Sequence, residues 1–300
     1  MRACSGALVA LLVGLTAACS GTVAHDDLRN ADEVVTGLTV SGPVGTAPTV
    51  RMRTPLTVDE VGSAVTVTGT GAPVMVDQLF VIELTLYDAR TGAKAASTYD
   101  TGQAIAAKTS DNTLFPALDD ALIGVRDGSR LAVALPSSDA YATAGEPPKG
   151  VRRSDPVVVV ADVVAVPPTK VLTKIDGAPV SHVPFSPEVT YTDGIATGLD
   201  VAHVHWPRAM RAYTQAVGTG PVVKKHDLIT VHYIAQRRGQ HDPFEDTFFK
   251  EPEQVAIGTG TAPPAWDKFL VGVHRGSRLV IFGPDSRGMI AWVVDVLGVS

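Results

Sequence analysis

Residues 270–284 read LVGVHRGSRLVIFGP, and an earlier stretch, residues 122–136, reads LIGVRDGSRLAVALP. The two stretches agree at eight of fifteen positions, with a constant offset of 148 residues. A match of this length, preceded in both copies by a proline and a large apolar residue, indicates an internal repeat. The sequence therefore predicts that the chain contains two copies of one folding unit.

In each copy the repeated stretch predicts a short helix that turns into a strand. In the second copy, Pro264 suits a first helical turn because its missing N–H costs nothing there. Trp266, Phe269 and Leu270 then follow the i, i+3, i+4 spacing of one buried helix face. A Gly-Ser turn leads into the apolar strand RLVIF. The first copy repeats the pattern from Pro116 onward.

Composition agrees with two modest domains. The chain has 300 residues with 45% apolar content, enough to bury the cores of two domains of about 110–130 residues each. Its 28 glycines and 21 prolines favour short strands and turns over long helices. The formal charge of −6 gives no electrostatic reason to expect a nucleic-acid partner.

The first residues predict export. Arg2 precedes an apolar run at residues 7–15, which is too short to span a bilayer and fits a signal peptide. Small residues then precede Cys19 in a pattern similar to a bacterial lipobox. We predict a signal peptide at residues 1–18 and a lipid on Cys19, which holds the protein at the outer face of the cell membrane with the bilayer as partner. The alternative is ordinary cleavage nearby, which leaves an unmodified cysteine.

The remaining chain divides by composition. Residues 19–48, rich in small and polar residues, are predicted to be a flexible tether from the lipidated Cys19. Residues 49–166 form the first unit, residues 167–189 a proline-rich linker, and residues 190–300 the second unit. The sequence leaves open whether the strands of the second unit begin near residues 189–191 or near residues 202–205.

The ordered motifs of the second unit resemble the FKBP-type peptidyl-prolyl cis-trans isomerases, and more closely the tandem FKBP-like lipoproteins of actinobacteria. The first unit resembles them more weakly, over about residues 60–166. The motifs that carry the resemblance in the second unit are Gly218-Thr219-Gly220, residues 227–233, Phe244-Glu245, Ile257-Gly258, Trp266, residues 270–273, Gly276-Ser277-Arg278 and residues 292–299.

The resemblance implies an α+β fold of two tandem FKBP-like domains, each an antiparallel β-sheet wrapped around one short α-helix with an apolar pocket between them. It implies isomerisation of proline-containing exported polypeptides, and macrolide-type compounds as further ligands. The barrier to amide rotation is about 18–20 kcal/mol, and a dry pocket that binds the twisted amide lowers it without a metal or a cofactor. We therefore predict neither a metal nor a cofactor.

Residue by residue, the resemblance assigns a pocket to the second unit. Trp266 takes the place of the floor indole, and Glu245 that of an aspartate beside an aromatic ring. Pro263 stands where a backbone N–H is usual and has none to donate, and the loop after Phe282 is short. The predicted catalytic residues are Tyr233, Phe244, Glu245, Trp266 and Trp292, and the predicted substrate-binding residues are Val255, Pro263 and Phe282.

The first unit lacks these aromatic residues, with Leu118, Leu84 and Ala95 at the corresponding places, so weak activity is expected in the second unit alone. A second hypothesis is a noncatalytic FKBP-like binding or chaperone lipoprotein in which both pockets have decayed. His203-x-His205 has the spacing of some metal sites, but no carboxylate or cysteine nearby completes a ligand set.

Overall fold

The computed structural model describes residues 37–109, 111, 113–141, 146–180, 183–192 and 195–300. The predicted signal peptide, Cys19 and the tether up to residue 36 lie outside the described residues. Within these ranges, no helix combines the length and the apolar character needed to cross a bilayer.

Strands dominate the described residues. They are β1 Leu38–Ser41, β2 Thr49–Met52, β3 Gly62–Val67, β4 Leu79–Asp88, β5 Lys94–Ser97, β6 Ile105–Lys108, β7 Arg130–Leu135, β8 Val157–Ala165, β9 Ala178–Pro179, β10 Glu188–Thr192, β11 Ile195–Asp200, β12 Arg211–Val217, β13 Leu228–Arg237, β14 Glu245–Asp246, β15 Glu253–Ala256, β16 Arg278–Asp285 and β17 Gly288–Val299. The helices are α1 Thr98–Thr101, α2 Pro116–Leu122, α3 Ser137–Tyr141 and α4 Pro264–Phe269. Helix and strand both occur, as in the predicted α+β class, but the described residues are mostly β, because the described helices have about two turns at most.

Two large antiparallel sheets share one strand order. The first runs β3-β7-β8-β4-β5, with β6 also on β4. The second contains β12-β16-β17-β13-β14 in the corresponding places, with β15 on β13 and β9 added at the edge. Each sheet has a short helix against its front face, α2 in the first half and α4 in the second. The repeat in the sequence is therefore a repeat in strand order.

Both faces of each sheet are buried. Along β17, Trp292 and Val294 point into the front core, whereas Ala291 and Val293 point to the back, because successive side chains of a strand alternate between faces. The back of the second sheet is covered by the β10–β11 hairpin, and the back of the first by the β1–β2 hairpin. This second buried layer explains why the central strands read as almost continuous apolar runs.

The structure differs from the predicted tether over residues 37–48. Arg130 is fully buried and pairs with Asp162, with Nε 2.6 Å from the carboxylate. Its remaining N–H groups donate to the carbonyl oxygens of Gly42 at 2.9 Å, Pro43 at 3.0 Å and Thr46 at 2.6 Å. A buried guanidinium needs acceptors for all its donors, and the turn after β1 supplies them. No hydrophobic period marks this turn, so the sequence did not reveal it.

Two repeated motifs lie against each other in both halves. The Gly218 N–H donates to Ser277 Oγ at 2.9 Å, and the Gly69 N–H donates to Ser129 Oγ at 2.8 Å. A Cβ atom on Gly218 would lie 2.2 Å from the carbonyl oxygen of Arg275. The glycine motif and the Gly-Ser turn are repeated together because they form one contact.

The two halves contact each other through a buried apolar cluster. Val81 and Ala165 from the first sheet pack with Leu228 and Ala256 from the second. Beside this cluster, His226 Nδ1 lies 3.2 Å from a carboxylate oxygen of the buried Glu83. The predicted linker is also held to the second half, because the Leu172 N–H donates to the carbonyl oxygen of Leu297 at 2.9 Å.

Candidate functional site

An open cavity of about 620 Å³ lies on the front side of the second half. It is bounded by α4, by the β16–β17 hairpin and by the chain that enters β14. Apolar rings make up much of its wall, namely Phe244, Phe269, Trp292, Pro263, Pro264 and Pro284. This volume lies within the usual range of about 300–1,000 Å³ for ligand pockets.

The short β16–β17 connection leaves this cavity open. Asp285 pairs with Gly288, so only Ser286 and Arg287 form the turn. In the first half the connection runs from residue 136 to residue 156 and carries α3, whose Tyr141 is buried in the front core. The sequence showed only that the loop after Phe282 is short. The structure shows that the long loop contributes to the first core, whereas the short turn itself lines the cavity.

Trp266 supports the cavity and does not line it. Its side chain is 2% exposed, and the Tyr233 ring meets it edge-on with ring centroids 5.0 Å apart. The indole Nε1 has no hydrogen-bond acceptor among the described residues. The predicted floor residue is therefore a buried core residue, while Trp292 and Phe269 reach the cavity surface.

Tyr233 connects the core to the carboxylates near the cavity. Its hydroxyl donates to Glu245 at 3.1 Å and lies 3.5 Å from a carboxylate oxygen of Glu253. Burial raises the pKa of the Tyr233 phenol, and the two neighbouring carboxylates raise it further. The phenol stays protonated at neutral pH and acts as a hydrogen-bond donor to Glu245, which lines the cavity.

A cation holds the outer wall in place. The Arg237 guanidinium donates to both carboxylate oxygens of Asp285, at 3.1 and 2.9 Å, and lies 5.4 Å from the centre of the Phe244 ring. Hydrogen bonding to Arg237 lowers the pKa of Asp285. Phe244 keeps 42% of its surface exposed, so it presents an accessible ring at the cavity edge. Sequence reasoning missed Arg237 and Asp285, because no local pattern joins residues 48 positions apart.

The three predicted substrate-binding residues have different locations. Pro263 precedes α4 and lines the cavity. Val255 is half-buried at the margin of the front core and is not part of the cavity wall. Phe282 lies on the back face, in edge contact with Trp206 and Tyr213 at centroid distances of 6.4 and 6.3 Å. Strand alternation places Phe282 opposite its neighbour Ile281, so Phe282 does not belong to this site.

The first half has no matching aromatic wall at the positions that the repeat predicts. Leu118 is fully buried in the front core of the first half, with Leu84 and Ala95 partly buried beside it. Tyr141 is also buried in this core. Its hydroxyl is buried and has no hydrogen-bond partner within the described ranges. Because the hydroxyl is buried, it is not accessible as a donor to a ligand.

A larger groove of about 780 Å³ lies on the back side, between the β10–β11 hairpin and the end of β13. Gln236 and Asp200 are among its polar residues, and Trp206 is its aromatic residue. Close to this hairpin, His205 stacks on Phe185 with ring centroids 4.2 Å apart. In the part of the chain that the structure describes, no three His, Cys, Asp or Glu side chains are grouped to hold a metal ion.

Comparison with known proteins gives limited results. No family model matches the chain, and no curated protein matches its sequence. Among solved structures, it is similar to the three FKBP domains of wheat FKBP73, with 11% identity and a TM-score of 0.34 over 80% of this chain and 94% of that one. AtFKBP13 has 15% identity and a TM-score of 0.32 over 35% of this chain and 92% of its own.

FkpA from Escherichia coli has 14% identity and a TM-score of 0.30 over 43% of this chain and 51% of its own. Scores and identities as low as these carry no argument about activity.

Proposed function

We propose that the chain is a tandem FKBP-like lipoprotein whose second half binds proline-containing segments of exported polypeptides and weakly catalyses their cis-trans isomerisation. The observation that carries this proposal is the cavity beside α4, with Phe244, Phe269 and Trp292 in its wall. Aromatic rings offer rigid, flat apolar surfaces against which a proline ring can pack.

The low polarity of the ring-lined part of this cavity supports catalysis. The planar amide is more charge-separated than the twisted amide, so contact with apolar rings stabilises the twisted form relative to the planar one. A hundredfold acceleration requires only about 2.7 kcal/mol of such preference. No side chain has to form a bond with the substrate.

The structure also gives a reason to keep the noncatalytic function as a second candidate. Trp266 is sealed beneath the cavity, and Pro263 in the cavity wall has no N–H to donate to a twisted amide. A site of this kind can bind proline without lowering the rotation barrier.

Exchange spectroscopy on the mature chain distinguishes the two functions. The cis-trans exchange rate of a short prolyl peptide is measured by NMR with increasing amounts of protein, together with shifts of the cavity resonances. Faster exchange with shifts at Trp292 supports an isomerase. Shifts without faster exchange support a binding module, and the absence of both rejects both functions.

We further propose that Cys19 carries the lipid that anchors the protein at the outer face of the membrane. Stable anchoring requires at least two acyl chains, since one chain binds a bilayer only marginally. Cys19→Ser should therefore move the protein from the membrane to the soluble fraction. A variant that sediments with membranes as completely as the parent would place the anchor elsewhere.

A further inference from the structure

The cavity of the second half has two cations at its border. Lys268 lies on α4, with Nζ 5.1 Å from the centre of the Phe269 ring. Arg287 lies in the two-residue turn of the β16–β17 hairpin. Both are exposed and both contribute to the cavity wall. Among the described residues neither side chain forms an ion pair within 4.0 Å of a carboxylate, although the charge of Arg287 is close enough to Asp285 to help lower its pKa.

The carboxylates of the same wall are already engaged. Asp285 accepts two hydrogen bonds from Arg237 and one from the Arg287 backbone N–H. Glu245 accepts the hydrogen bond of the Tyr233 hydroxyl. Arg237 offsets the charge of Asp285, whereas the neutral Tyr233 hydroxyl leaves Glu245 its negative charge. The border therefore sets two cations, Lys268 and Arg287, against the one carboxylate charge of Glu245, and its balance is positive. This contrasts with the formal charge of −6 for the whole chain.

We infer that the cavity selects proline segments that carry an acidic side chain directly next to the proline. This inference rests on the proposed function and adds its substrate class. The apolar rings receive the proline, while Lys268 and Arg287 attract a neighbouring Asp or Glu from the helix side and from the hairpin side. Exposed charge pairs are each worth about 0.2–1 kcal/mol, so two of them give a preference of roughly two- to thirtyfold.

The test uses the full mature chain and three peptides that differ only in Glu, Gln or Lys before the proline. Affinity is measured by titration and exchange rate by NMR, at low and at high salt. We expect Glu to bind best and Lys worst, with Glu favoured over Gln by roughly two- to thirtyfold. The difference should shrink at high salt, because exposed charges are screened.

The test variant is Lys268→Gln with Arg287→Gln. Its matched control is Lys250→Gln with Arg208→Gln, which removes the same two residue types from exposed positions outside the cavity. The test variant should bind the three peptides equally, and the control should keep the preference of the parent. Equal binding of all three peptides by the parent would overturn the charge preference and leave the proposed function intact. Failure of every peptide to bind would overturn both.

Discussion

At the scale of single residues, Trp292 and Phe282 allow the pocket to be tested against a matched control. Both are aromatic, both are 7% exposed, and they lie on opposite faces of the second sheet. Only Trp292 reaches the cavity. Sequence position alone could not separate them, because each fits a pocket position of the family.

We predict that Trp292→Leu lowers prolyl exchange catalysis about tenfold, because an aromatic contact worth up to about 1.5 kcal/mol is lost. Phe282→Leu should leave the rate close to that of the parent. Both substitutions change the shape of a buried side chain, so each should lower the free energy of unfolding by about 1–3 kcal/mol. NMR exchange gives the rate and urea unfolding the stability. An equal loss of rate in both variants would assign the effect to the core and not to the cavity.

At the scale of elements, the contact between the glycine motif and the Gly-Ser turn can be tested through Gly218. A Cβ at this position meets the Arg275 carbonyl oxygen, which belongs to the backbone and cannot rotate away. We predict that Gly218→Ala lowers the free energy of unfolding by about 3 kcal/mol through this overpacking. The exposed neighbour Thr219 provides the control, and Thr219→Ala should stay within about 0.5 kcal/mol of the parent. Similar unfolding midpoints for the two variants would contradict the packing argument.

The sequence predicted those elements whose signals are local. The repeat located α2, α4 and the strands that follow them, since the proline, the apolar spacing and the turn glycines lie within fifteen residues of each other. It predicted the back hairpins only in part: residues 189–191, one of the two starts considered for the second unit, fall within β10, whereas β1 falls in the predicted tether. β1 and β10 become ordered through contacts with distant residues such as Arg130 and Arg278, and such contacts leave no periodic pattern in a short strand.

The candidate site was predictable in part for the same reason. Of the predicted site residues, Phe244, Pro263 and Trp292 line the cavity, whereas Trp266 lies beneath it and Phe282 behind the sheet. Phe282 lies behind the sheet because successive side chains of β16 point to opposite faces. The cations at the border come from a helix end and a two-residue turn, which only the fold brings together.

At the scale of the whole molecule, His226 joins the halves at a buried contact that responds to pH. Burial lowers the pKa of its imidazole below the usual 6.5, Lys225 acts in the same direction, and the nearby Glu83 opposes part of the shift. The unfolded chain therefore takes up a proton at a higher pH than the folded chain does. Stability is complete above about pH 6.5 and falls as the pH decreases through that value towards the lower folded-state pKa.

We predict that the parent loses stability between pH 7.5 and pH 5.5 relative to His226→Gln, which has no proton to take up at this position. Urea unfolding of the two proteins at intervals across this range measures the difference. A difference that does not change with pH would show that His226 titrates alike in the folded and unfolded chains.

The buried Arg–Asp pair under the N-terminal turn has a counterpart in the second half. Arg130 and Asp162 face each other across β7 and β8, and Arg278 and Asp295 face each other across β16 and β17. The pair and its covering hairpin are therefore common to both halves. Their outer partners differ, because Arg130 binds backbone carbonyls whereas Arg278 donates to the Tyr191 hydroxyl at 2.7 Å.

The two halves differ in what covers the pair at the back and in the loop at the front, which is why one half has a filled core and the other an open cavity.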